Sequence, residues 1–245
     1  MEPLVTLRVG DGRPADGYRL ADGSKPLSAS QIADALDAPD KRKALFRWYA
    51  YEGRHAFRIA EEARQVGSAV HKAIEAHYLG LPPEPALWDS PDQTAADTCF
   101  AAFLDWHART THTPLLLEWP LVSERLRLAG TLDMLAVFDG PEIVDMKTSK
   151  RLSPRSMFLQ CAVYDLLITA ELPDMPPRVG ARIVRLPKDG TGYRETRCDG
   201  ASWAAAQCAA LSLVEAMRMI AAVDGLRELP ALEPVDADAP ITFDV

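Results

Sequence analysis

Residues 125–147 constrain the fold of this chain more strongly than any other segment. The stretch RLRLAGTLDMLAVF alternates between apolar and polar side chains with a period near two, which is typical of a β-strand. An Asp-Gly turn signal follows, and then the apolar stretch EIVDMK, which is typical of a short buried strand. The segment is therefore predicted to be a β-hairpin that carries Asp133 in its first strand and Asp145 in its second.

The rest of the chain predicts helices on either side of this hairpin and a second strand pair after it. Helices are expected over residues 30–38, 41–51, 55–79, 92–110, 154–170 and 201–223, and further strands over 115–123, 179–186 and 193–198. A hairpin is expected over residues 4–20, and Ser28 or Ser30 is expected to cap the first helix. This order of elements indicates an α/β (α+β) fold, with a central mixed β-sheet flanked by helices and an N-terminal helical part.

Composition excludes several classes of protein. The chain has 245 residues, of which 48% are hydrophobic and 25% charged, so it is neither disordered nor collagen-like. No apolar run reaches the ~18 residues of a membrane helix, so we expect no membrane partner. The first residues lack a signal-peptide pattern, and the cysteines form no CxxC pair. We therefore expect a cytoplasmic protein of a bacterial or phage-infected cell, with reduced thiols.

The net charge of −8 is unevenly distributed along the chain. Residues 41–72 contain eight Lys or Arg and three Glu, whereas residues 224–245 contain six acids and one Arg. Such an asymmetry is compatible with a basic groove on an acidic protein, and equally with ordinary solvated faces. We expect residues 1–24 to form an N-terminal extension, 25–223 the main domain, and 224–245 an acidic, proline-containing tail.

Asp133, Asp145 and Lys147 are the residues with the clearest chemistry. Two neighbouring carboxylates raise each other's pKa unless a cation lies between them, and a hard divalent ion prefers such oxygen ligands. Lys147 follows Asp145 by two residues, so both side chains leave the strand on the same face. An ammonium group there can stabilise the charge of a phosphate under attack. The alternative is a surface hairpin with an ordinary Asp–Lys pair.

Three further residues extend this combination. His71 lies four residues after Gly67 on a predicted helix, where it is either a structural histidine or a metal ligand. Gln160 and Tyr164 are spaced i, i+4 on the helix after the hairpin, so they share one of its faces. The ordered set GxxxH, GTLD, DMKTS and QxxxY is more specific than any of its parts.

Through these motifs the chain resembles the PD-(D/E)XK nuclease superfamily over about residues 25–200, in its RecB-like exonuclease branch. Phage exonucleases and the mitochondrial genome maintenance exonuclease are similar in the helical lead-in and in the tight GTLD…DxKTS spacing. The resemblance implies a restriction-endonuclease-like fold and a metal-dependent DNA exonuclease in recombination, repair or phage DNA processing. The P of the superfamily name is Leu132 here, and the acid at the third position of that name is Asp145.

The resemblance also implies roles for particular residues. The implied ligands of Mg²⁺ or Mn²⁺ are His71, Asp133, Asp145 and the Met146 carbonyl, with Glu118 as a further candidate acid. The implied catalytic set is Lys147, Asp145 and Asp133, supported by Gln160 and Tyr164, and the implied DNA contacts after the catalytic strand are Thr148, Ser149, Lys150 and Arg151.

The expected substrate is linear DNA, single- or double-stranded, with a recombination or single-strand-binding protein as a candidate partner. Candidate phosphate contacts are Lys41, Arg42, Lys43, Arg47 and Arg54, while Trp48 and Tyr49 either stack on unpaired bases or pack between helices. Cys99, Cys161, Cys198 and Cys208 do not follow the one-early, three-late spacing of related nucleases that carry an iron–sulfur cluster. A GxxxxGK[ST] motif is also missing, so we expect neither a cluster nor a bound nucleotide.

Two other interpretations of the same residues stay open. One is a non-catalytic module of this fold that binds DNA or a protein partner, and the other is an interaction protein with a fortuitous motif. Binding of a divalent metal separates a nuclease from the fortuitous motif, and cleavage of DNA separates it from the binding module.

Overall fold

A seven-stranded mixed β-sheet organises the part of the chain that the computed structural model describes, residues 7–149 and 153–223. Its strands are β1 (Arg8–Val9), β2 (Leu27–Ser28), β3 (Thr113–Ser123), β4 (Leu128–Val137), β5 (Pro141–Lys147), β6 (Gly180–Arg185) and β7 (Arg194–Asp199). The helices are α1 (Ala29–Glu52), α2 (Ala56–Tyr78), α3 (Glu84–Trp88), α4 (Gln93–Arg109), α5 (Pro154–Glu171) and α6 (Gly200–Val223). The predicted tail, 224–245, lies outside the described residues.

The sheet confirms the central hairpin. Its strand order is β1-β3-β4-β5-β6-β7, and β2 pairs with the first residues of β4. Strands β4 and β5 are antiparallel around the Asp-Gly turn, with Val137 opposite Pro141. Strand β6 then joins β5 in parallel after the crossover through α5, and β7 returns antiparallel to β6. Mixed pairing of this kind is what the predicted α/β (α+β) fold class requires.

Two hydrophobic cores show how the helices cover the sheet. One core packs α1, α5 and α6 against one face, with Leu132 and Ile143 from the sheet among its members. The other packs α2, α3 and α4 against the opposite face, where Met134 and Val144 contribute. Ile143 and Val144 are successive residues of β5 and so point to opposite faces, whereas Leu132 and Met134 are two residues apart on β4, so the alternation of β4 is interrupted between them. The fold is therefore the restriction-endonuclease-like α/β type, and the fold prediction is confirmed.

The predicted hairpin over residues 4–20 is wrong. In the described part of that segment the only strand is β1, and it runs parallel to β3, with Val9 opposite Leu117. The exposed edge of β3 offers unpaired main-chain groups, and β1 satisfies them more completely than a local turn would. The N-terminal segment is thereby bound to the sheet through residues more than a hundred positions away.

Helix α1 is also longer than predicted. Two helices separated near Pro39 were expected, whereas the backbone is helical from Ala29 through Glu52. A proline removes one helical hydrogen bond but does not always end a helix. Ser28 caps the start of α1 with a reciprocal pair of bonds, because its hydroxyl accepts from the Gln31 amide and the Gln31 side chain accepts from the Ser28 amide. Of the two predicted candidates, Ser28 and Ser30, Ser28 is therefore the cap.

None of the helices in the described ranges combines the length and the apolar character needed to cross a membrane.

Three histidines meet between the ends of α2 and α4. The Tyr78 hydroxyl lies 2.6 Å from Nε2 of His112 and 3.4 Å from Nδ1 of His107, and the His77 ring lies 4.9 Å from the His107 ring. Burial lowers the pKa of His107 and of His112 from the ordinary value of 6.5. Both rings therefore carry less positive charge in the folded protein than in the unfolded chain at mildly acidic pH.

This cluster predicts a loss of stability on acidification. The unfolded chain takes up protons at these two histidines before the folded protein does, so their contribution is complete above about pH 6.5 and is lost as the pH falls. We expect the free energy of urea unfolding of a His112→Phe variant, relative to that of the wild type, to rise as the pH falls from about 7.5 to about 5.5. All the other titratable groups are common to the two proteins, so their contributions cancel in this comparison. Identical pH dependence in the two proteins would contradict this origin.

Candidate metal and catalytic site

The hairpin places both predicted acids at the point where its strands separate. Main-chain pairing extends from Val137–Pro141 to Met134–Val144. Beyond that pair, the Met146 amide donates to Oδ2 of Asp133 at 2.8 Å, so a carboxylate takes the role of a main-chain acceptor. Burial raises the pKa of Asp145, and the nearby charge of Asp133 adds to this shift.

Lys147 leaves β5 beside Asp145. Its Nζ donates to Oδ1 of Asp145 at 2.7 Å, as expected for side chains two residues apart on one strand. Asp145 is only 1% exposed, and its Oδ2 has no hydrogen-bond donor within the described ranges 7–149 and 153–223. A buried carboxylate oxygen without a partner is costly, so this atom points to a ligand from outside the chain.

A second group of ligand atoms lies next to this pair. Three residues, His71, Glu118 and Asp133, each offer one atom that could bind a metal ion, and these three atoms lie within 4.8 Å of one another. Nδ1 of His71 lies 3.0 Å from Oε1 of Glu118 and 3.7 Å from Oδ1 of Asp133, while Nε2 lies 3.2 Å from the Met146 carbonyl oxygen. Helix α2 and strands β3, β4 and β5 therefore each supply one group to the same small volume.

Glu118 enters this group through an unusual backbone conformation. Its φ is +45°, in the left-handed region that residues with a Cβ rarely adopt. Its neighbours Leu117 and Trp119 keep regular pairing with Met134 and Leu132 on β4, so the distortion is confined to one residue. Local strain of this kind persists only where the surroundings enforce it, and it is concentrated at functional sites.

Burial and neighbouring charges together shift the pKa values of Asp145, Asp133, His71 and Lys147. Burial raises the pKa of Asp145 to about 6 and raises the pKa of Asp133, although His71 and Lys147 oppose the second shift. Burial acts to lower the pKa of His71, but the charges of Asp133 and Glu118 outweigh it and hold that pKa at about 10. The pKa of Lys147 is likewise raised, because Asp145 and Asp133 outweigh its burial. At neutral pH the site therefore pairs two cationic side chains with crowded carboxylates.

These residues fit a divalent metal ion. The donor set of carboxylate oxygens, one imidazole and one carbonyl is the kind that Mg²⁺ and Mn²⁺ accept. The buried Oδ2 of Asp145, without a donor among the described residues, supplies an oxygen whose partner the chain itself does not provide. A cation held by His71, Glu118 and Asp133 would replace the proton on the imidazole and offset the repulsion between the acids.

Helix α5 adjoins the site through Gln160 and Tyr164, and Tyr164 lies in the same cleft as His71 and Glu118. The Gln160 side-chain amide donates to the Tyr164 hydroxyl at 3.1 Å, as their i, i+4 spacing predicts. Tyr164 is buried against Gly130 of the GTLD motif, where an added Cβ would lie 2.6 Å from Cε1 of the ring. Burial raises the pKa of Tyr164, so its hydroxyl is a neutral hydrogen-bonding group at neutral pH.

Replacement of Gly130 by Ala is therefore expected to displace Tyr164. Overpacking of this kind costs typically about 1–3 kcal/mol. It would also displace β4 next to Thr131 and three residues before Asp133. We expect a lower unfolding midpoint together with slower turnover. Gly140→Ala is the matched control, since its Cβ would lie 2.8 Å from Val179, away from the site. Equal turnover losses in both variants would show that Tyr164 has no special part.

A cleft of about 840 Å³ opens beside the metal group. Glu118, His71 and Tyr164 lie in its wall, next to a polar stripe of α2 that comprises Arg64, Gly67, Ser68, His71, Lys72 and Glu75. The other wall is formed by the start of α1 and by residues 8–18, here named the N-terminal strap, of which residues 11–15 and Tyr18 face the cleft. The acids thus lie at the edge of a groove that also contains cations.

The structure brings together one part of the predicted site set and separates another. Six of the predicted residues meet at the strand separation: His71, Glu118, Asp133, Asp145, Met146 and Lys147. Gln160 and Tyr164 adjoin them. Thr148 lies against α2, where Oγ1 comes within 3.3 Å of a Cβ placed on Gly67. Ser149 is exposed, and its carbonyl accepts from Arg185.

The remaining predicted DNA contacts either fall outside the described residues or lie on α1. Lys150 and Arg151 fall outside the described residues, as do the side chains of Lys41 and Arg42. Arg47 is exposed and Trp48 half-buried, with its ring 5.2 Å from that of Tyr49. At about 1.5 Å per residue, Arg47 lies about 25 Å along α1 from Ser30 at the cleft. In this part of α1, Arg47 is thus open to solvent, whereas Trp48 is partly packed against Tyr49.

Several cleft residues were not predicted. Arg64 and Lys72 share a helix face with His71, and the spacing i, i+3/i+4 along α2 was a usable signal for them. Arg13 and Tyr18 gave no such signal, because only the parallel pairing of β1 with β3 brings them to the site.

Comparison with known proteins agrees with this geometry. The sequence model of the PD-(D/E)XK nuclease superfamily matches residues 26–229, more than four fifths of the chain. None of the curated proteins compared matches the chain.

Proposed function

Because the chain belongs to the PD-(D/E)XK nuclease superfamily, whose members are typically nucleases that use divalent metal ions, we propose that it is an Mg²⁺- or Mn²⁺-dependent DNA exonuclease of the RecB-like branch. The observation that carries the proposal is the pair Asp133 and Asp145 at the strand separation, with Lys147 bonded to one oxygen of Asp145 and the other oxygen unpartnered among the described residues. A decayed, non-catalytic member of the fold has no reason to retain this arrangement.

In this proposal, His71, Glu118, Asp133, Asp145 and the Met146 carbonyl hold the metal. When bound, such an ion activates water and neutralises the scissile phosphate. Lys147 acts as a fixed cation and hydrogen-bond donor, because Asp145 and Asp133 raise its pKa and so favour its charged form. Gln160 and Tyr164 keep β4 and β5 at the spacing that the acids require.

DNA is held mainly through its backbone in the proposed complex. Arg64 and Lys72 line the cleft beside the acids and supply the nearest described cations on α2. Thr148 and Ser149, with Lys150 and Arg151, follow the catalytic strand, while Arg47 and Trp48 extend the contact along α1. A cytoplasmic role in recombination, repair or phage DNA processing, with a recombination or single-strand-binding protein as partner, completes the proposal.

The proposal is tested with end-labelled linear DNA, single- and double-stranded, beside a closed circle of the same length. Each DNA is incubated with the protein in EDTA, Mg²⁺ or Mn²⁺, and an Asp145→Asn variant is the control. We expect metal-dependent loss of the linear DNA, an intact circle, and no loss with the variant. Cleavage of the circle would replace exonuclease by endonuclease, and DNA binding without any cleavage would establish the binding module instead.

A further inference from the structure

The N-terminal strap, residues 8–18, contacts the metal group although it precedes the part of the chain matched by the family. After β1 ends, the Gly10 amide donates to the Leu117 carbonyl at 2.9 Å. The Gly12 amide then donates to the carbonyl of Glu118 itself at 3.2 Å. The two bonds bracket the residue whose carboxylate joins His71 and Asp133.

The strap approaches β3 so closely at Gly10 that no side chain fits there. A Cβ on Gly10 would lie 2.5 Å from the Glu118 carbonyl oxygen, 2.8 Å from Cα of Trp119 and 2.4 Å from Cδ of Pro120. Two of these neighbours are main-chain atoms, which cannot rotate away as a side chain does. Gly10 is therefore required by the contact with Glu118 and its two successors.

Glu118 needs such a contact because its backbone is strained. A glutamate at a φ of +45° returns to the extended region unless its surroundings prevent this, and that return would re-aim the carboxylate. The peptide carbonyl of Glu118 turns with the same rotation, and the strap fixes it through Gly12. The main chain of the strap therefore opposes the motion that would take Glu118 out of the metal group.

The strap is fastened at its far end to the strand of Asp133. The Tyr18 hydroxyl lies 2.5 Å from Oγ1 of Thr131, which is two residues before Asp133 on β4. Between Gly12 and Tyr18 the strap lines the cleft. It thus spans from the strand that carries Glu118 to the strand that carries Asp133.

We infer that the N-terminal strap is a positioning element of the metal site, in which Gly10 and Gly12 hold the Glu118 carboxylate beside His71 and Asp133. The inference rests on the proposed function, since it assigns Glu118 to the metal. Gly10 and Gly12 touch no reacting group, so they are positioning residues rather than catalytic ones. The strap is an addition to the matched family region, not a part of it.

The first test compares two glycines of the strap that differ in their contact with Glu118. Gly12 and Gly17 have φ values of +66° and +74°, and a Cβ on either would meet nothing within 4 Å. The Gly17 amide donates to Pro14 inside the strap, whereas that of Gly12 donates to Glu118. Alanine strains both backbones alike, so only Gly12→Ala is expected to weaken Mn²⁺ binding, by about tenfold. Mn²⁺ affinity is measured by electron paramagnetic resonance and calorimetry.

A double-mutant cycle with Glu118→Gln then separates positioning from general destabilisation. Glu118→Gln alone is expected to weaken Mn²⁺ binding, and adding Gly12→Ala or Gly10→Ala to it is expected to cause no further loss. Gly180→Ala is the control for Gly10→Ala, because its Cβ would lie 2.7 Å from the Cys198 carbonyl oxygen at the far side of the sheet. It is expected to lower the unfolding midpoint without changing Mn²⁺ affinity.

The outcomes distinguish this inference from the proposed function. Wild-type protein that binds no Mn²⁺ would overturn the metal site and the inference with it. Equal Mn²⁺ affinities of the Gly12→Ala variant and the wild type would overturn the inference alone. So would a double variant whose loss of Mn²⁺ affinity equals the sum of the losses in the two single variants. If Gly10→Ala does not fold, the pair Gly12→Ala and Gly17→Ala decides the matter.

Discussion

Replacement of Lys147 by Met is expected to lower DNA cleavage by about a hundredfold to a thousandfold, the usual effect of removing one preorganised electrostatic stabiliser. Lys147 remains protonated in its buried position, because Asp145 and Asp133 raise its pKa. Its charge is thus fixed 2.7 Å from Oδ1 of Asp145, beside the acids that hold the metal. The measurement is single-turnover cleavage of end-labelled linear DNA, with binding measured separately by anisotropy. Unchanged single-turnover cleavage would remove Lys147 from the catalytic set.

The same variant also affects stability, which needs a control. Removing one partner of a buried ion pair costs about 3–5 kcal/mol, and we expect the lower end because 24% of the Lys147 side chain is exposed. The double variant Lys147→Met/Asp145→Asn removes the stranded carboxylate charge, so we expect it to regain stability without regaining cleavage. A melting temperature of the single variant below the temperature of the cleavage assay would attribute its loss of cleavage to unfolding.

Replacement of Asp133 by Asn is expected to abolish the stabilisation that Mn²⁺ gives the wild-type protein. An ion present at about 100 times its dissociation constant adds about 2.7 kcal/mol to the free energy of unfolding. For a chain of this size, that raises the melting temperature by about 5–10 °C. Asp133 belongs to the group with His71 and Glu118, so its loss removes a central ligand. Differential scanning fluorimetry in EDTA and in Mn²⁺ measures the shift.

Asp165→Asn is the matched control for this experiment. Asp165 is a buried acid on α5 that accepts from Arg178 and from Gln207, the latter at 2.6 Å, and it lies outside the metal group. We expect its substitution to lower the melting temperature in EDTA while leaving the Mn²⁺-dependent increase intact. An Asp133→Asn protein that keeps a full increase would show that the ion binds elsewhere.

The part of the site that follows from local pattern could be predicted from the sequence, and the part that follows from distant pairing could not. Asp133, Asp145 and Lys147 lie in a hairpin whose period and turn signal fix their relative positions. His71 follows from its place on an amphipathic helix. The orientation of the Glu118 side chain, by contrast, depends on a positive φ at a residue type that rarely adopts one, so the sequence does not predict it.

The N-terminal region shows the same division for the fold. Ser28 carries a capping signal that is readable within four residues, and its role is confirmed. The pairing of β1 with β3 joins residues more than a hundred positions apart, and a two-residue strand leaves too short a pattern to reveal it. Local turn residues in the segment therefore predicted a hairpin where the chain instead completes the edge of the sheet.

The bond between Asp133 and the Met146 amide makes the two acids of the site unequal in the side-chain length that they tolerate. An aspartate at 133 spans a fixed gap to a rigid peptide group, so a side chain longer by one carbon would overshoot it. The acid at 145 bonds instead to Lys147, whose flexible four-carbon stem can retreat to accommodate a glutamate. Tolerance to lengthening therefore differs between two acids that serve one purpose, and the partner of each acid decides which of them is free to vary.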